Sequence, residues 1–228
     1  MELFKKTRQI ITSIESRRSF NNSLAYIRTL LRSQEDSDKK LLLLDYILGV
    51  IKRDLHAEFQ AAIFYEGYKV RKISTPFPSY FRNKNDELIC IIKSKEYKEI
   101  DLSNDCIFAL PWRDISVIST VNMLSKIDFE YIEGNHGALF YYPIDICYVH
   151  NGNHSISAGM HFKKGKIKAD FCDITPLFSN VYTDGASWYN LHTNNVIEEL
   201  CDFRIALLFE VAKMKYIIEI KQDHTWNR

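Results

Sequence analysis

The first third of the chain carries apolar residues at helical spacing in two segments. In the first segment they recur three or four positions apart, at Leu24, Ile27 and Leu31. Ser23 precedes this series and is a good N-cap, so we predict that a helix begins there. A second and longer helical pattern opens at Ser37 or Asp38 and ends near Gly67. The sequence therefore predicts two N-terminal helices joined by a short polar loop.

The middle of the chain has short apolar runs typical of strands, interrupted by one helical pattern. We predict strands at 88–94, 106–112, 137–150 and 166–174. Residues 118–127 place Val121, Leu124 and Ile127 on one face of a helix. The strand at 137–150 is apolar on both faces, which is expected of a strand inside a layered domain.

A long helix is predicted at the C-terminal end, from about Asn194. Its apolar stripe has three- and four-residue spacing through Val196, Leu200, Phe203, Leu207, Val211, Met214 and Ile218. Such a stripe can pack on the core of the protein or form an oligomer interface, including that of a homodimer. The pattern alone leaves both interpretations open.

The order of these elements predicts an α+β fold, with a small mixed β-sheet packed by the N-terminal helices and by the long C-terminal helix. We expect a helical region at 1–72, an α+β core at 73–193 and the last helix at 194–228, together in one compact unit. A chain of 228 residues is long enough to bury a substantial core.

Composition narrows the class of protein further. Lys and Arg number 30 against 29 Asp and Glu, so the net charge of +1 is not that of an obvious polyanion binder. The five cysteines form no Cys-x-x-Cys pair and predict buried free thiols in a reducing cytosol. No apolar run approaches the ~20 residues of a membrane span, and the N-terminus lacks the apolar segment of a secretion signal. We therefore expect a soluble cytoplasmic protein with no membrane partner.

The most informative stretch for function is the corner between the strand at 137–150 and a following short helix. Asn151 and Gly152 form a turn, and the helix opens near Ser155. The free N–H groups and the dipole of a helix N-terminus favour a phosphate or a carboxylate. Gly152 permits a positive φ and close approach of a ligand, and His154 supplies a donor. The alternative is an ordinary tight turn in which Asn153 or Ser155 caps the helix.

The wider pattern around this corner resembles the ParB/sulfiredoxin-like superfamily over residues 106–175. Pro143–Ile146 is similar to the Pro-(Ile/Val)-x-(Val/Ile) strand of that family, and 152–154 is similar to the start of its Gly-x-His-Arg box. The resemblance implies a strand-turn-helix corner that binds a nucleotide or nucleic-acid phosphate, and in some members hydrolysis or transfer of phosphate esters or nuclease activity. It implies ATP or CTP with Mg²⁺ as ligands. The phosphate site implied here consists of Gly152, Asn153, His154 and Ser155.

One residue of the box departs from the family pattern. Ser155 stands where the family usually has Arg, and a single hydroxyl replaces a bidentate guanidinium. Four lysines after the helix could restore the charge, or could be solvated surface: Lys163, Lys164, Lys166 and Lys168. Arg113 could reach the phosphate, or could only cover Trp112. The same tripeptide Gly-Asn-His also occurs at 134–136, which is too short to count as a repeat.

Candidate catalytic residues accompany the box. Phosphoryl transfer needs a base or a carboxylate that holds a metal, so His154, Asp114 and Asp173 are the candidates. Alternatively, each of the two carboxylates only stabilises a turn or caps a helix. The spacing of the histidines predicts no transition-metal site. Trp188, in the predicted loop 180–195, could stack a base or form a lid, or could simply anchor that loop.

Two classes of function remain open from the sequence. The first is a protein that binds a nucleotide or nucleic acid at the box, with or without phosphate-ester chemistry. The second is a non-catalytic module for a protein or DNA partner, for example in a bacterial plasmid, toxin or phage-defence system.

Overall fold

The computed structural model of the protein describes residues 2–66 and 75–226, and it has the predicted α+β fold. Its α-helices within these residues are α1 (Glu2–Arg32), α2 (Ser37–Glu66), α3 (Asp114–Leu124), α4 (Asn153–Phe162) and α5 (Phe203–Trp226). Among these helices, none is long and apolar enough to cross a membrane.

The strands of the described residues form three separate sheets. In chain order they are β1 (Tyr80–Arg82), β2 (Leu88–Cys90), β3 (Ile92–Asp101), β4 (Ile107–Phe108), β5 (Ala138–Tyr142), β6 (Ile146–Val149), β7 (Lys166–Asp173), β8 (Val181–Thr183), β9 (Ser187–Asn190) and β10 (Val196–Glu199). The largest sheet has the order β3-β7-β5-β6-β4, and the smaller ones are the pair β1-β2 and the sheet β10-β9-β8. A short 3₁₀ helix, Thr175–Ser179, precedes β8.

The chain divides into two compact units that are discontinuous in sequence. Unit 1 comprises Met1–Ile51, Pro76–Cys90 and Thr175–Arg228, and unit 2 comprises Lys52–Thr75 and Ile91–Ile174. The division passes through α2 and separates the two halves of the predicted strand at 88–94, because β2 belongs to unit 1 and β3 to unit 2. It therefore differs from the contiguous segments that we expected.

Unit 2 is built on the five-stranded mixed sheet. Strand β5 pairs in parallel with β7 and antiparallel with β6, and β4 adds to β6 in parallel. One face packs against α4, through Ile156 and Met160. Successive residues of a strand point to opposite faces, and Phe108 on the other face stacks on Phe59 of α2 with ring centroids 4.8 Å apart. The sheet of unit 2 is thus covered by helices on both faces.

Unit 1 has an aromatic core between its small sheet and α5. Trp188 of β9 is buried and lies edge-on to Phe209 of α5, and Phe77 contacts both rings. The first half of α2 runs antiparallel to α5, because Asp45 pairs with Lys215 at 2.6 Å whereas the earlier Asp38 accepts a hydrogen bond from the later Gln222 at 2.8 Å. Unit 1 therefore depends on segments that are far apart in the sequence.

Several predicted boundaries are confirmed and others are wrong. Helix α2 opens at Ser37 and is helical to Glu66, and β7 covers the predicted strand at 166–174. Ser23 is not an N-cap, because α1 already begins at Glu2. The last helix begins at Phe203 and not near Asn194, since the first residues of the predicted stripe form β10.

The predicted strand at 137–150 is a hairpin of two strands. Residues 143–145 form the turn between β5 and β6, and the N–H of Asp145 donates to the carbonyl of Tyr141 at 2.9 Å. Pro143 has no N–H to give to a sheet ladder, and Asp145 has a positive φ of 57°. The strand that the family resemblance implies at Pro143–Ile146 therefore begins only at Ile146.

Candidate functional site

The predicted corner is a sharp turn from β6 into α4. Gly152 is the residue before the helix, with φ = +80°, and α4 begins directly at Asn153. A Cβ at Gly152 would lie 2.6 Å from the carbonyl oxygen of Asn135, which is backbone and cannot move aside easily. The turn therefore requires glycine both for its conformation and for the close approach of the chain at Asn135.

The side chains of Asn153 and His154 bind the backbone of the loop before α3. The N–H of Leu110 donates to Oδ1 of Asn153 at 2.7 Å. The N–H groups of Trp112 and Arg113 both donate to Nε2 of His154, at 3.3 and 3.1 Å. We call these three hydrogen bonds the loop clamp. They hold the loop at 110–113 against the first turn of α4.

The loop clamp requires a neutral His154. Its Nε2 accepts hydrogen bonds and carries no proton, so the proton of the neutral ring lies on Nδ1. Burial lowers the pKa of His154, and the positive charge of Arg113 lowers it further. We expected His154 to be a donor to phosphate, but its Nε2 is occupied as an acceptor in this conformation.

Ser155 takes part in a second hydrogen-bond chain. Nδ1 of His136 accepts the N–H of Ile132 at 3.0 Å, so its Nε2 carries the proton and donates to Oγ of Ser155 at 2.9 Å. The Ser155 hydroxyl in turn donates to the carbonyl of Gly152 at 3.0 Å. Burial lowers the pKa of His136 and favours this neutral form. His136 is therefore a donor to Ser155 and is not placed to act as its general base.

Sequence reasoning missed the pairing of the two Gly-Asn-His tripeptides. The segment 134–136 lies against the corner at 152–154: Nδ2 of Asn151 donates to the carbonyl of Gly134 at 2.9 Å, and His136 reaches Ser155. The repeated tripeptide was the available signal. It was too short to indicate contact without the hairpin that brings the two segments together.

The open side of the corner carries one cation and one aromatic ring. No side chain caps the N-terminus of α4. Arg113, which is exposed, lies with its guanidinium 4.7 Å from the centroid of the Trp112 ring. Trp112 is itself 52% exposed and contacts the ring of His154 edge-on. The guanidinium of Arg113 therefore lies over the Trp112 ring, and the loop clamp holds the backbone of both residues beside α4.

The structure brings only one of the two candidate carboxylates to the corner. Asp114 is the first residue of α3 and follows the clamped loop directly; its Oδ1 accepts the N–H of Ile115 at 2.7 Å. Asp173 pairs with Tyr142 at the far end of β5, whereas the corner follows Val149, which pairs with the first residue of β5. Four residue steps along a strand separate the two ends by about 13 Å. Asp173 lies instead 3.9 Å from Lys93.

The lysines proposed to replace the missing Arg are at the wrong end of α4. Lys163 follows the last residue of this ten-residue helix, about 15 Å along the axis from its N-terminus. Lys164 is ion-paired with Asp128 at 3.4 Å, and Lys166 with Glu99 at 2.6 Å. Lys163 and Lys164 therefore follow the end of α4 that is opposite the corner.

Trp188 is not a stacking platform either. The expected loop at 180–195 contains the hairpin β8-β9, and Trp188 is 1% exposed in the core of unit 1, whereas the corner belongs to unit 2. The aromatic ring that does lie beside the corner is that of Trp112.

The other titratable groups offer neither a metal-binding cluster in the described residues nor, at Cys106, an activated thiol. Within the described parts of the chain, no cluster of three or more His, Cys, Asp or Glu side chains is arranged to hold a metal ion. Cys147 and Cys172 are buried free thiols as predicted, but Cys90 and Cys201 are exposed. Burial raises the pKa of the Cys106 thiol to about 11, so this thiol is not activated as a nucleophile.

These features define an α+β protein whose largest sheet carries a glycine-initiated helix clamped to the loop before α3. Residues 5–222 match DUF6710, described as a family of unknown function, and the chain belongs to that family. No curated protein and no solved structure is significantly similar to the chain.

Proposed function

We propose that this protein binds a phosphate-bearing ligand, a nucleotide or a nucleic acid, at the N-terminus of α4. The observation that carries the proposal is the uncapped helix N-terminus beside the exposed guanidinium of Arg113. The backbone N–H groups of Asn153 and His154 and the positive end of the helix dipole supply part of the anion site. Arg113 supplies the bidentate group that Ser155 lacks.

Trp112 gives the same site a surface for a base. A half-exposed indole stacks on any nucleobase, and such contacts are worth about 1–3 kcal/mol per base. The guanidinium of Arg113 lies over the Trp112 ring, so a phosphate bound by Arg113 and a base stacked on the exposed part of Trp112 would meet neighbouring residues of one clamped loop. ATP or CTP with Mg²⁺ are the first ligands to test.

The geometry favours binding over phosphate-ester hydrolysis. His154 uses its Nε2 lone pair in the loop clamp, His136 holds the tautomer that donates to Ser155, and Asp173 lies at the opposite end of the sheet. Asp114 is the one candidate carboxylate next to the clamp. Hydrolysis also needs a positioned base or a carboxylate set for metal, and these residues provide neither in this arrangement.

The test is thermal stabilisation by ATP, CTP, GTP and ADP, with and without Mg²⁺, and by inorganic phosphate. A ligand at 100 times its Kd adds about 2.7 kcal/mol to the unfolding free energy. We expect stabilisation by at least one nucleotide in the wild type and loss of most of it in Arg113→Ala. Arg53→Ala, which removes another exposed arginine of unit 2, is the control. His154→Ala is a poorer probe because it also releases the loop clamp.

The outcomes separate the versions of the proposal. Stabilisation by phosphate alone and by every nucleotide equally would support an anion site without base recognition. Stabilisation that persists in Arg113→Ala would place the ligand elsewhere. The proposal would be contradicted if no nucleotide stabilised the protein and if the protein also failed to retard a fluorescent single-stranded DNA or RNA in a gel-shift assay.

A second candidate function is a non-catalytic module that binds a protein. It is favoured by the apolar side chains that α3 exposes to solvent, because exposed apolar clusters of this kind mark interaction surfaces.

A further inference from the structure

A carboxyl group of unit 1 is buried on the short strand β10. Oε1 of Glu198 is inaccessible to solvent, and no residue that the structure describes gives it a hydrogen bond. Glu198 pairs with Trp188 of β9, and paired residues of antiparallel strands point to the same face of the sheet. Its carboxyl group therefore lies on the face where Trp188 packs against Phe209. A carboxylate loses its hydration in such a place, so the neutral acid is favoured there.

The charged and titratable groups of the elements around Glu198 have neighbours of their own. Tyr189 of β9 lies on the other face of the strand and donates to Asp184, which also pairs with Arg17 of α1. The charged residues of α5 in this part of the chain interact elsewhere: Arg204 with Asp202, Glu210 with Lys213 and Arg28, and Lys215 with Asp45. Burial is accordingly what raises the pKa of the Glu198 carboxyl.

Strand β10 is held to the sheet by few contacts. It has four residues and pairs with β9 at the edge of the sheet. A bulge between Val196 and Glu198 interrupts this pairing. Val196 is 57% exposed and Glu199 is also exposed, so the strand buries little apolar surface. Little therefore opposes a local opening of β10.

We infer that ionisation of Glu198 releases β10 from β9, so that the strand is paired while the carboxyl is neutral and opens when the carboxyl is charged. Opening returns the carboxylate to water, where it regains its hydration. A pKa raised above the ordinary value of 4.5 gives stability that is fully present below that value and is lost as the pH rises through the folded-state value. The pairing of β10 is therefore expected to weaken as the pH rises.

This device is separate from the proposed phosphate site and from the histidines that titrate in the opposite direction. Glu198 belongs to unit 1, whereas the corner and the three histidines whose pKa is lowered belong to unit 2: His56, His136 and His154. A measurement on β10 itself therefore distinguishes the two effects.

Amide hydrogen exchange of the full chain without nucleotide, between about pH 5 and about pH 8, tests the inference. The N–H of Leu200, directly after β10, donates to the carbonyl of Ala186 at 2.8 Å and reports on the pairing. Its protection factor is expected to fall by up to about tenfold per pH unit between the ordinary and the folded-state pKa, because opening releases one proton. The amides of β8, at the other edge of the same sheet, are expected to show no such fall.

Two neutral variants and one control assign the effect to Glu198. Glu198→Gln and Glu198→Met both remove the charge and are expected to keep the protection factor of Leu200 constant over the same pH range. Glu199→Gln is the control, because this exposed carboxylate of the same strand stays in water whether or not β10 is paired. It is expected to retain the decrease seen in the wild type.

Three results would overturn the inference. The first is a protection factor of Leu200 that does not change with pH in the wild type, as would follow if the charged side chain only turned outward. The second is a decrease that persists in both neutral variants. The third is an equal decrease at β8 and at Leu200, which would mean that the whole sheet opens and not β10 alone. Circular dichroism verifies that the variants remain folded.

Discussion

Nε2 of His154 lies 3.1 Å from the backbone nitrogen of Arg113 and accepts its N–H. Nε2 of His154 therefore positions the loop that carries the exposed guanidinium, and the proton of the neutral ring lies on Nδ1. His154 therefore holds the backbone of Trp112 and Arg113 against the first turn of α4. This arrangement also makes the clamp sensitive to protonation, because a protonated Nε2 is a donor and cannot accept either N–H group.

The unfolding free energy is expected to fall as the pH decreases below about 7. Burial lowers the pKa of His154, with a further contribution from Arg113, and burial also lowers the pKa of His136 and of His56. The unfolded chain, with histidine pKa values near 6.5, then binds more protons than the folded chain. Stability is fully present above about pH 6.5 and is lost as the pH falls toward the lower folded-state pKa values. Urea unfolding at several pH values between 8 and 5.5 measures this slope.

A histidine variant assigns part of that slope to the clamp. His154→Ala is expected to be less stable at pH 8 and to show a shallower decrease toward pH 5.5, since one of the three rings no longer titrates. His161→Ala, at an exposed position in the same helix, is the control for helix propensity. An unchanged slope in His154→Ala would mean that protonation of this ring does not affect the clamp.

Removing the second acceptor of the loop clamp, the neutral amide of Asn153, is expected to lower the unfolding free energy without a change of charge. Asn153→Ala leaves the N–H of Leu110 without its 2.7 Å acceptor, and we expect a loss of about 1–2 kcal/mol in unfolding free energy. Amide exchange at Leu110 is expected to accelerate more than that of the strands of unit 2. Asn122→Ala, on the exposed side of α3, is expected to change stability by less than about 0.5 kcal/mol. Equal losses in the two variants would argue against the clamp.

Alanine variants of two glycines with the same backbone conformation distinguish backbone strain from steric crowding at the corner. Gly134 and Gly152 have φ values of +84° and +80°, so alanine imposes a similar conformational strain of about 1–2 kcal/mol at either position. A Cβ at Gly134 meets nothing within 4 Å, whereas a Cβ at Gly152 meets the backbone oxygen of Asn135 at 2.6 Å. We expect Gly152→Ala to lose about 1–3 kcal/mol more than Gly134→Ala in chemical denaturation. Similar losses would show that the chain around Asn135 relaxes freely.

Much of the fold followed from local patterns, and the errors have local causes. Helix α2 was predictable because Ser37, in a polar loop, precedes a long apolar period at helical spacing. The hairpin at 143–145 was missed because apolar residues continue through the turn, and only Pro143 signals the break. The start of α5 was misplaced because Val196 and Leu200 fit a helical stripe, although β10 pairs with β9 in the folded chain. Pairing with the preceding strand overrides a four-residue period.

The candidate site was only partly predictable for a similar reason. The glycine corner could be located because Asn-Gly and the small residues after it are contiguous in the sequence. The partners of His154 and Ser155 could not be located in this way. His154 binds the backbone N–H groups of residues 112 and 113, and Ser155 binds a histidine in another turn. Asp173 was assigned to the site from its position after a strand, but the parallel pairing of β7 with β5 puts it at the other end of the sheet.

Unit 1 has its own polar centre, which links α1 to the hairpin β8-β9. Oδ1 of Asp184 accepts the N–H groups of Ala186 and Ser187, both at 2.9 Å. Oδ2 accepts Nε of Arg17 at 2.6 Å and the hydroxyl of Tyr189 at 2.9 Å. Desolvation acts to raise the pKa of Asp184, but the hydrogen bonds from Arg17, from the two backbone groups and from Tyr189 outweigh it and lower the pKa.

Asp184→Asn is expected to destabilise the protein by about 1–3 kcal/mol at pH 7, because the amide can replace Oδ1 but presents an NH₂ group to Arg17. A lowered folded-state pKa gives stability that is present above the ordinary pKa of 3.8 and is lost as the pH falls through the folded value. The difference between wild type and variant should therefore shrink when urea unfolding is repeated near pH 3. Asp86→Asn removes the exposed ion pair with Arg82 and is expected to cost less than about 0.5 kcal/mol at either pH. A difference for Asp184→Asn that persists undiminished near pH 3 would mean that the carboxylate charge is not what holds α1 to the hairpin.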